Sequence, residues 1–420
     1  MSFLRSLFSG VSGLRNHQLM MDVIGNNIAN INTVGFKASR VTFDEMFSQT
    51  LEGGTQPTDG NGGSDPIQVG LGMATGSVSM LFSQGNIETT GNSTDLAIQG
   101  NGFFIVKQDG KQYYTRDGSF SFDANGDLVN GSTGAIVQGK LADANGTIPA
   151  GTQLQDLKIA LDTRSAAKAT SDIKFSGNLD SSANTGDQAS SSVTVYDSLG
   201  NQHTLTVTFT KSATANQWTW TADVPSPSSI TAGGSGTVTF NADGTMQSFT
   251  YDSGTSLAIS PGNGAAAMSV ALDTGSAGVF SGITQTQGAS NVSPREQDGY
   301  ASGSLNGISI DQNGQIQGNF SNGTVQTLGQ VMIAEFNNPQ GLLRTGDNLY
   351  DVTGNSGLPV INSPADASNS KIVPGGLEQS NVDLADEFTE MIMAQRGFQA
   401  NAKVITTSDE FLNDVVNLKR

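Results

Sequence analysis

The residues able to do chemistry are few. His17 and His203 are the only two histidines. His203 follows the turn Leu199-Gly200-Asn201, where a serine and an aspartate brought in by the fold would complete an acyl-transfer triad. No Gly-x-Ser-x-Gly elbow accompanies it, so a solvated loop histidine is the expected state. Asp123-Ala-Asn125-Gly-Asp127 has the carboxylate alternation of a calcium loop. Leu128 and Gly134, however, stand where that loop needs its glycine and its closing glutamate, so a hairpin turn is the better reading. Gly110-Lys111 and Gly139-Lys140 lack the hydroxyl residue and the glycine spacing that cradle a phosphate. The absence of cysteine removes disulfides, thiolate-bound zinc and thiol catalysis. No catalytic residue, metal ligand or cofactor is assigned, and the chain does not read as an enzyme.

The charge balance narrows the partners. The net charge is −18 and the pI about 4.3, with no cluster of Lys and Arg to neutralise phosphates. Nucleic acid and anionic membrane are both disfavoured. No apolar run approaches the roughly 18 residues of a membrane helix. Met1-Ser2-Phe3-Leu4-Arg5 does not open a removable signal peptide. Charged residues make up only 14% of the chain, while 52 glycines accompany a 36% hydrophobic content. That composition suits β-structure with many tight turns and a hydroxyl- and amide-rich surface.

The elements that must position everything else are at the two ends. Leu7, Leu14, Met21 and Ile28 recur every seven residues, with Leu4 and Val11 on the same stripe. Leu384, Phe388, Met391, Phe398, Ala402, Ile405, Leu412 and Val416 keep the same rhythm near the C-terminus. Each stripe is a seam that needs a partner helix. The first helix is expected from Ser2 or Phe3 to about Ile28. The second is expected after a cap at Ser380, with Asp383 three residues on, and at about 1.5 Å per residue would run roughly 55 Å. Residues 1–40 are net basic and the last fifty net acidic, which favours pairing of the ends.

Residues 50–66 read as an exposed loop. Beyond them, Asn-Gly and Asp-Gly dipeptides punctuate strand-like runs, Asn145-Gly146 among them, as two-residue hairpin turns would. One pattern occurs three times: Phe120 to Leu128, Val238 to Met246 and Ile308 to Ile316, one hairpin per copy. The stretches 165–192 and 286–298 read as lead-in and exit linkers of an inserted all-β domain. The expected architecture is multidomain α+β. Residues 1–40 and 378–420 form a helical coiled-coil domain, and 41–90 with 366–377 an extended linker and hairpin region. Residues 91–165 with 293–365 form an inner β domain, and 166–292 an outer one inserted in it, both mainly antiparallel.

Four ordered blocks carry a resemblance. Val23 to Lys37, with Asn26, Asn27, Asn30, Thr33, Gly35 and Phe36 at the turn leaving the helix, resembles the N-terminal signature of bacterial flagellar axial proteins. Leu96 to Phe104 and Tyr114 to Phe120 resemble the next blocks, and Leu377 to Leu384 with Met391 to Asn401 the C-terminal signature. Within these rod, hook and hook-associated proteins, Gly299 to Leu305 and Gly318 to Gly323 look like the hook members. The resemblance implies a curved, flexible tube that transmits torque from rod to filament. It implies a homopolymer meeting a hook cap, a distal rod protein and a hook–filament junction protein, after type III export without a cleaved signal. The expected location is the extracellular flagellum. Alternatives are a rod or junction component, or a secreted β-rich adhesin.

Overall fold

The computed structural model describes residues 2–57, 62–143, 146–151, 153–160, 162–364, 366 and 370–417, apart from the side chains of 2–4 and 415–416. Asn145 lies outside them, and so do the side chains of Leu4 and Val416. The chain forms two compact units. One comprises 1–160, 308–317 and 327–420, and the other 161–307 and 318–326.

In the first unit, α1 spans Ser2–Ala29 and α2 spans Leu384–Asn417. The 34 residues of α2 give a length of about 51 Å. Its cap is Asp383 rather than Ser380: Asp383 Oδ1 accepts the N–H groups of Ala385 at 2.8 Å and Asp386 at 3.4 Å. Ser380 lies too early because Asn381 is tied into the first unit, accepting from Ala38 N at 2.8 Å and donating to Leu81 O at 2.8 Å. After α1, strands Ser39–Glu45 and Met73–Met80 pair antiparallel. The described part of the expected 50–66 loop belongs to a second ribbon, in which Ser48–Glu52 pairs with Ile67–Gly70 and Thr55 bridges Ser64, and 58–61 lie outside the described residues. The β core of this unit runs antiparallel through Ile136–Leu141, Phe103–Gln108, Lys111–Thr115, Leu349–Asp351 and Leu343–Gly346. Phe103, Ile105, Tyr114, Met332, Ala334, Phe336, Leu342 and Tyr350 fill one side, with edge-to-face rings.

The second unit has a five-stranded antiparallel sheet in simple sequence order, from Gln188–Tyr196 to Met246–Tyr251. Alternation puts Val195, Leu205, Val207, Phe209, Trp218, Trp220, Val238 and Phe240 inside and Ser and Thr outside. A six-stranded sheet shares this core through Ile173, Phe175, Leu257, Ile259, Val270 and Ile283. The two expected linkers are strands of that second sheet. Asp172–Asp180 pairs antiparallel with Ser293–Gln297, and parallel with Met268–Asp273 and Ile283–Thr286. Hydroxyl- and amide-rich composition masked a buried strand whose Ile173, Phe175 and Leu179 carry the apolar side.

The three repeated hairpins share one turn chemistry. Phe122 pairs with Leu128 and Phe240 with Met246, and strands Gly303–Ile310 and Gln315–Phe320 are neighbours. Their turns are three-residue loops rather than two-residue ones, with Gly126, Gly244 and Gly314 left-handed at φ 83°, 87° and 72°. Asp123 Oδ1 accepts the N–H of Asn125 and of Asp127, both at 2.8 Å, so the carboxylate of the calcium-like motif closes a turn. Asp197 to Asn201 repeats this device. A two-residue turn does occur at Asp109-Gly110, between the paired residues Gln108 and Lys111.

Candidate functional site

The two terminal helices pack through small residues. A Cβ on Gly13 would lie 2.6 Å from Asn401 Nδ2, one on Gly397 2.5 Å from His17 Nε2, and one on Gly10 3.2 Å from Ile405 Cγ1. Ile24 and Ala394 are buried along the same line, and Ser6 and Ser408 meet hydroxyl to hydroxyl at 3.4 Å. The heptad residues distribute around this contact. Leu7, Leu14, Met21, Ile28, Met391, Phe398 and Ile405 are half-buried, whereas Val11, Leu384, Phe388 and Leu412 are exposed. With Phe8 69%, Ile392 51% and Met393 56% exposed, the pair leaves a broad apolar surface uncovered.

The turn leaving α1 is locked from both sides. Asn27 is buried: its Nδ2 donates to Ser39 O and to Glu387 Oε1, both at 2.8 Å, and its Oδ1 accepts from Ser39 N at 3.0 Å. One amide thus fixes the departing strand and the first turn of α2. Asn26 is exposed and offers its carbonyl to Asn30 Nδ2 at 2.9 Å, and Asn30 Oδ1 takes the Thr33 hydroxyl at 3.1 Å. Gly35 sits at φ +69°, where a Cβ would come within 2.6 Å of Asp117 N. Phe36 is buried under the Arg344 guanidinium, 4.7 Å from ring to charge.

Beneath this turn lies a fully buried charge cluster. Glu378 accepts from Lys37 Nζ at 2.7 Å, Arg116 Nη1 at 3.2 Å and the N–H of Gly85 at 2.8 Å. Its own carbonyl takes the N–H of Gly35 at 2.7 Å. Lys37 gives a second bond to Ser83 O, and Arg116 a bond to Gly100 O. Burial pushes the Lys37 ammonium below its ordinary range, against the pull of Glu378, and Arg116 adds to the depression. Such a cluster holds only while its buried charges stay compensated, because desolvating ions costs several kcal/mol each. Lys37, Arg116 and Glu378 come from three separate signature blocks. The signal that could have singled them out is their rarity: each is the single cation, or one of two acids, in its signature block of a chain only 14% charged.

His203 is not a solvated loop residue. It lies on strand Gln202–Lys211, with Nε2 3.1 Å from Asp197 Oδ2 and Nδ1 2.8 Å from Ser228 Oγ. Ser228 is buried and also bonds Pro261 O at 3.0 Å, so no substrate carbonyl reaches its hydroxyl.

Four family models match in sequence order. They are the flagella basal body rod protein at 7–37, the flagellar hook protein FlgE/F/G D1 domain at 97–165, the flagellar basal body protein FlaE D2 domain at 167–300 and the flagellar basal body rod FlgEFG protein C-terminal at 373–418. The chain is 40% identical over 446 residues to the flagellar hook protein FlgE of Borreliella burgdorferi, covering 99% of this chain and 100% of the relative. This chain belongs to the flagellar hook protein FlgE family. The hook protein FlgE of Escherichia coli is 35% identical over 97% of this chain and 98% of its own length. The crystal structure of Helicobacter pylori flagellar hook protein FlgE2 shares the fold, with TM-score 0.52 at 16% identity over 70% of this chain and 100% of that one. The chain is a structural hook subunit in a homopolymeric flagellar axial assembly, not an enzyme, and the adhesin alternative falls away.

Proposed function

We propose that this chain polymerises head to tail into the curved, flexible tube that couples rod to filament, with its terminal helices forming an inner coiled-coil tube. The observation that carries this is the apolar surface left open around the α1–α2 contact, at Phe8, Val11, Phe388, Ile392 and Met393. A pair of helices packed through glycine is close and narrow, so its larger side chains stay free for other copies. The seam residues Leu4, Leu7, Val11, Leu14, Met21, Ile28, Leu384, Phe388, Met391, Phe398, Ile405, Leu412 and Val416 then serve contacts both within and between copies. Heterologous contacts that do not close generate an open helical tube. In this reading the inner β domain (91–165 with 293–365) forms the next shell and the inserted domain (166–292) the outermost.

The signature turn, Asn26, Asn27, Asn30, Thr33, Gly35 and Phe36, passes load from the helices to the β core. The buried Lys37–Glu378–Arg116 cluster makes that joint stiff. The family resemblance supports type III export and contacts with a hook cap, distal rod protein and hook–filament junction protein. The test is electron microscopy of the full chain and of F388S/I392S under polymerising conditions. Curved tubes from the parent and none from the folded variant are expected, and unchanged tubes from the variant would sink the reading.

A further inference from the structure

We propose that Asp197, His203 and Ser228 form a proton-operated latch that holds the two sheets of the 161–307 unit together at one end. The latch spans both sheets. His203 lies on the five-stranded sheet, and Asp197 on the turn beside it. Ser228 immediately precedes strand Ser229–Ala232, and Pro261 follows strand Leu257–Ser260, both of the six-stranded sheet. Asn263 adds a second tie from that turn, donating to Asp197 Oδ2 at 2.6 Å.

Counting protons gives the mechanism. Three contacts lie in a row: Asp197 Oδ2 to His203 Nε2 at 3.1 Å, His203 Nδ1 to Ser228 Oγ at 2.8 Å, and Ser228 Oγ to Pro261 O at 3.0 Å. Both ends of the row are pure acceptors: an ionised carboxylate and a proline carbonyl. Burial opposes ionisation of Asp197, but bonds from Asn263, His203 and Asn201 hold its carboxyl far below the usual carboxylate range. Three hydrogen bonds need three protons. Ser228 supplies one, a neutral imidazole one and an imidazolium two. With His203 neutral, its proton goes to Asp197, the Ser228 hydroxyl must turn to Nδ1, and Pro261 O is left without a donor. With His203 protonated, all three bonds form and the turn after Ser260 is fastened.

Among the described residues, Asp197 is the charged group in contact with the ring; Ser228, Asn201, Asn263 and Pro261 complete the node as neutral groups. Proton uptake therefore favours the closed sheets. The bond to Pro261 O is thus present with the imidazolium and absent with the neutral ring. Nothing in this depends on the polymerisation reading.

The chain reports on its own latch, because its two tryptophans, Trp218 and Trp220, are both buried in this unit's core. Urea unfolding of the full chain followed by tryptophan fluorescence is compared with that of H203Q between about pH 5 and about pH 8. Across that range the parent's unfolding constant is expected to rise on the order of tenfold more than the variant's, the scale of one hydrogen bond to a charged group. A pH dependence equal in parent and H203Q overturns the latch. If H203Q does not fold, nitrogen-15 spectra of the parent decide. Both ring nitrogens protonated at the acid end, with Nδ1 losing its proton as pH rises, support the latch, and a ring neutral throughout refutes it.

Discussion

Glu378 and Lys37 stand 341 residues apart in the chain and form a 2.7 Å ion pair with no solvent exposure on either side chain. Arg116 shares the same carboxylate from a third segment. The fold of the first unit thus closes on residues from near both ends at once. Removing the carboxylate leaves two buried cations, whereas removing Lys37 leaves Glu378 with Arg116 and Gly85 N. E378Q is expected to cost about 3–5 kcal/mol and K37M clearly less. Chemical denaturation followed by circular dichroism ranks the two, and equal losses would mean that Arg116 cannot carry the pair alone.

Glu387, which takes the Asn27 amide, gives a pH signature. Burial raises its pKa above the ordinary 4.5, partly offset by Asn27 and reinforced by Glu390 and Asp386. Its Oε2 is buried without a hydrogen-bond partner. A raised carboxyl pKa means the folded state holds the proton more tightly, so this residue's contribution falls as pH climbs from the unfolded value through the folded one. E387Q removes that fall. Its melting temperature relative to the parent is expected to be higher at neutral pH than at about pH 4, measured by helical circular dichroism. A difference that does not change with pH would contradict the assignment.

Two glycines separate backbone strain from close approach. Gly35 and Gly91 have similar positive φ, +69° and +77°, but a Cβ on Gly91 meets nothing within 4 Å while one on Gly35 meets the backbone of Arg116 and Asp117. G91A should cost about 1–2 kcal/mol for the left-handed conformation alone. G35A should exceed it by at least about 1 kcal/mol, the low end for overpacking. Thermal melts of the two variants side by side give the difference.

The helix pair offers the same contrast with opposite signs. Gly25 has open space around its missing Cβ, so G25A is expected to stabilise α1 by up to about 1 kcal/mol from helix propensity. In G397A the new methyl would press on the His17 ring, and in G13A on the Asn401 amide, so neither realises that gain and the helices are forced apart. Helical melts, with a cross-link between cysteines placed at exposed Gln18 and Arg396, read stability and separation together. Equal gains in all three variants would show that the glycine face is not the contact.

Much of the architecture is legible in the chain because it is local. Period-seven apolar spacing marks both helices, and Asn-Gly or Asp-Gly marks the hairpins through a glycine that takes the left-handed turn position. The errors have physical causes as well. The 165–192 stretch hides a core strand because only every second residue of a strand faces inward, so Ser, Thr and Asn dominate its composition. The α2 cap shifts from Ser380 to Asp383 because Asn381 is bonded to a segment more than three hundred residues away.

By itself the sequence determined where helices, hairpins and signature blocks lie, since each depends on residues within a few positions of one another. Only the tertiary structure decided which helix face meets the partner, and there small residues prevail because close backbone approach needs the absence of a side chain. It alone gathered Lys37, Arg116 and Glu378 around one carboxylate, and set His203 between Asp197 and Ser228. A charge's partner depends on distance in space, and spacing along the chain carries no record of it.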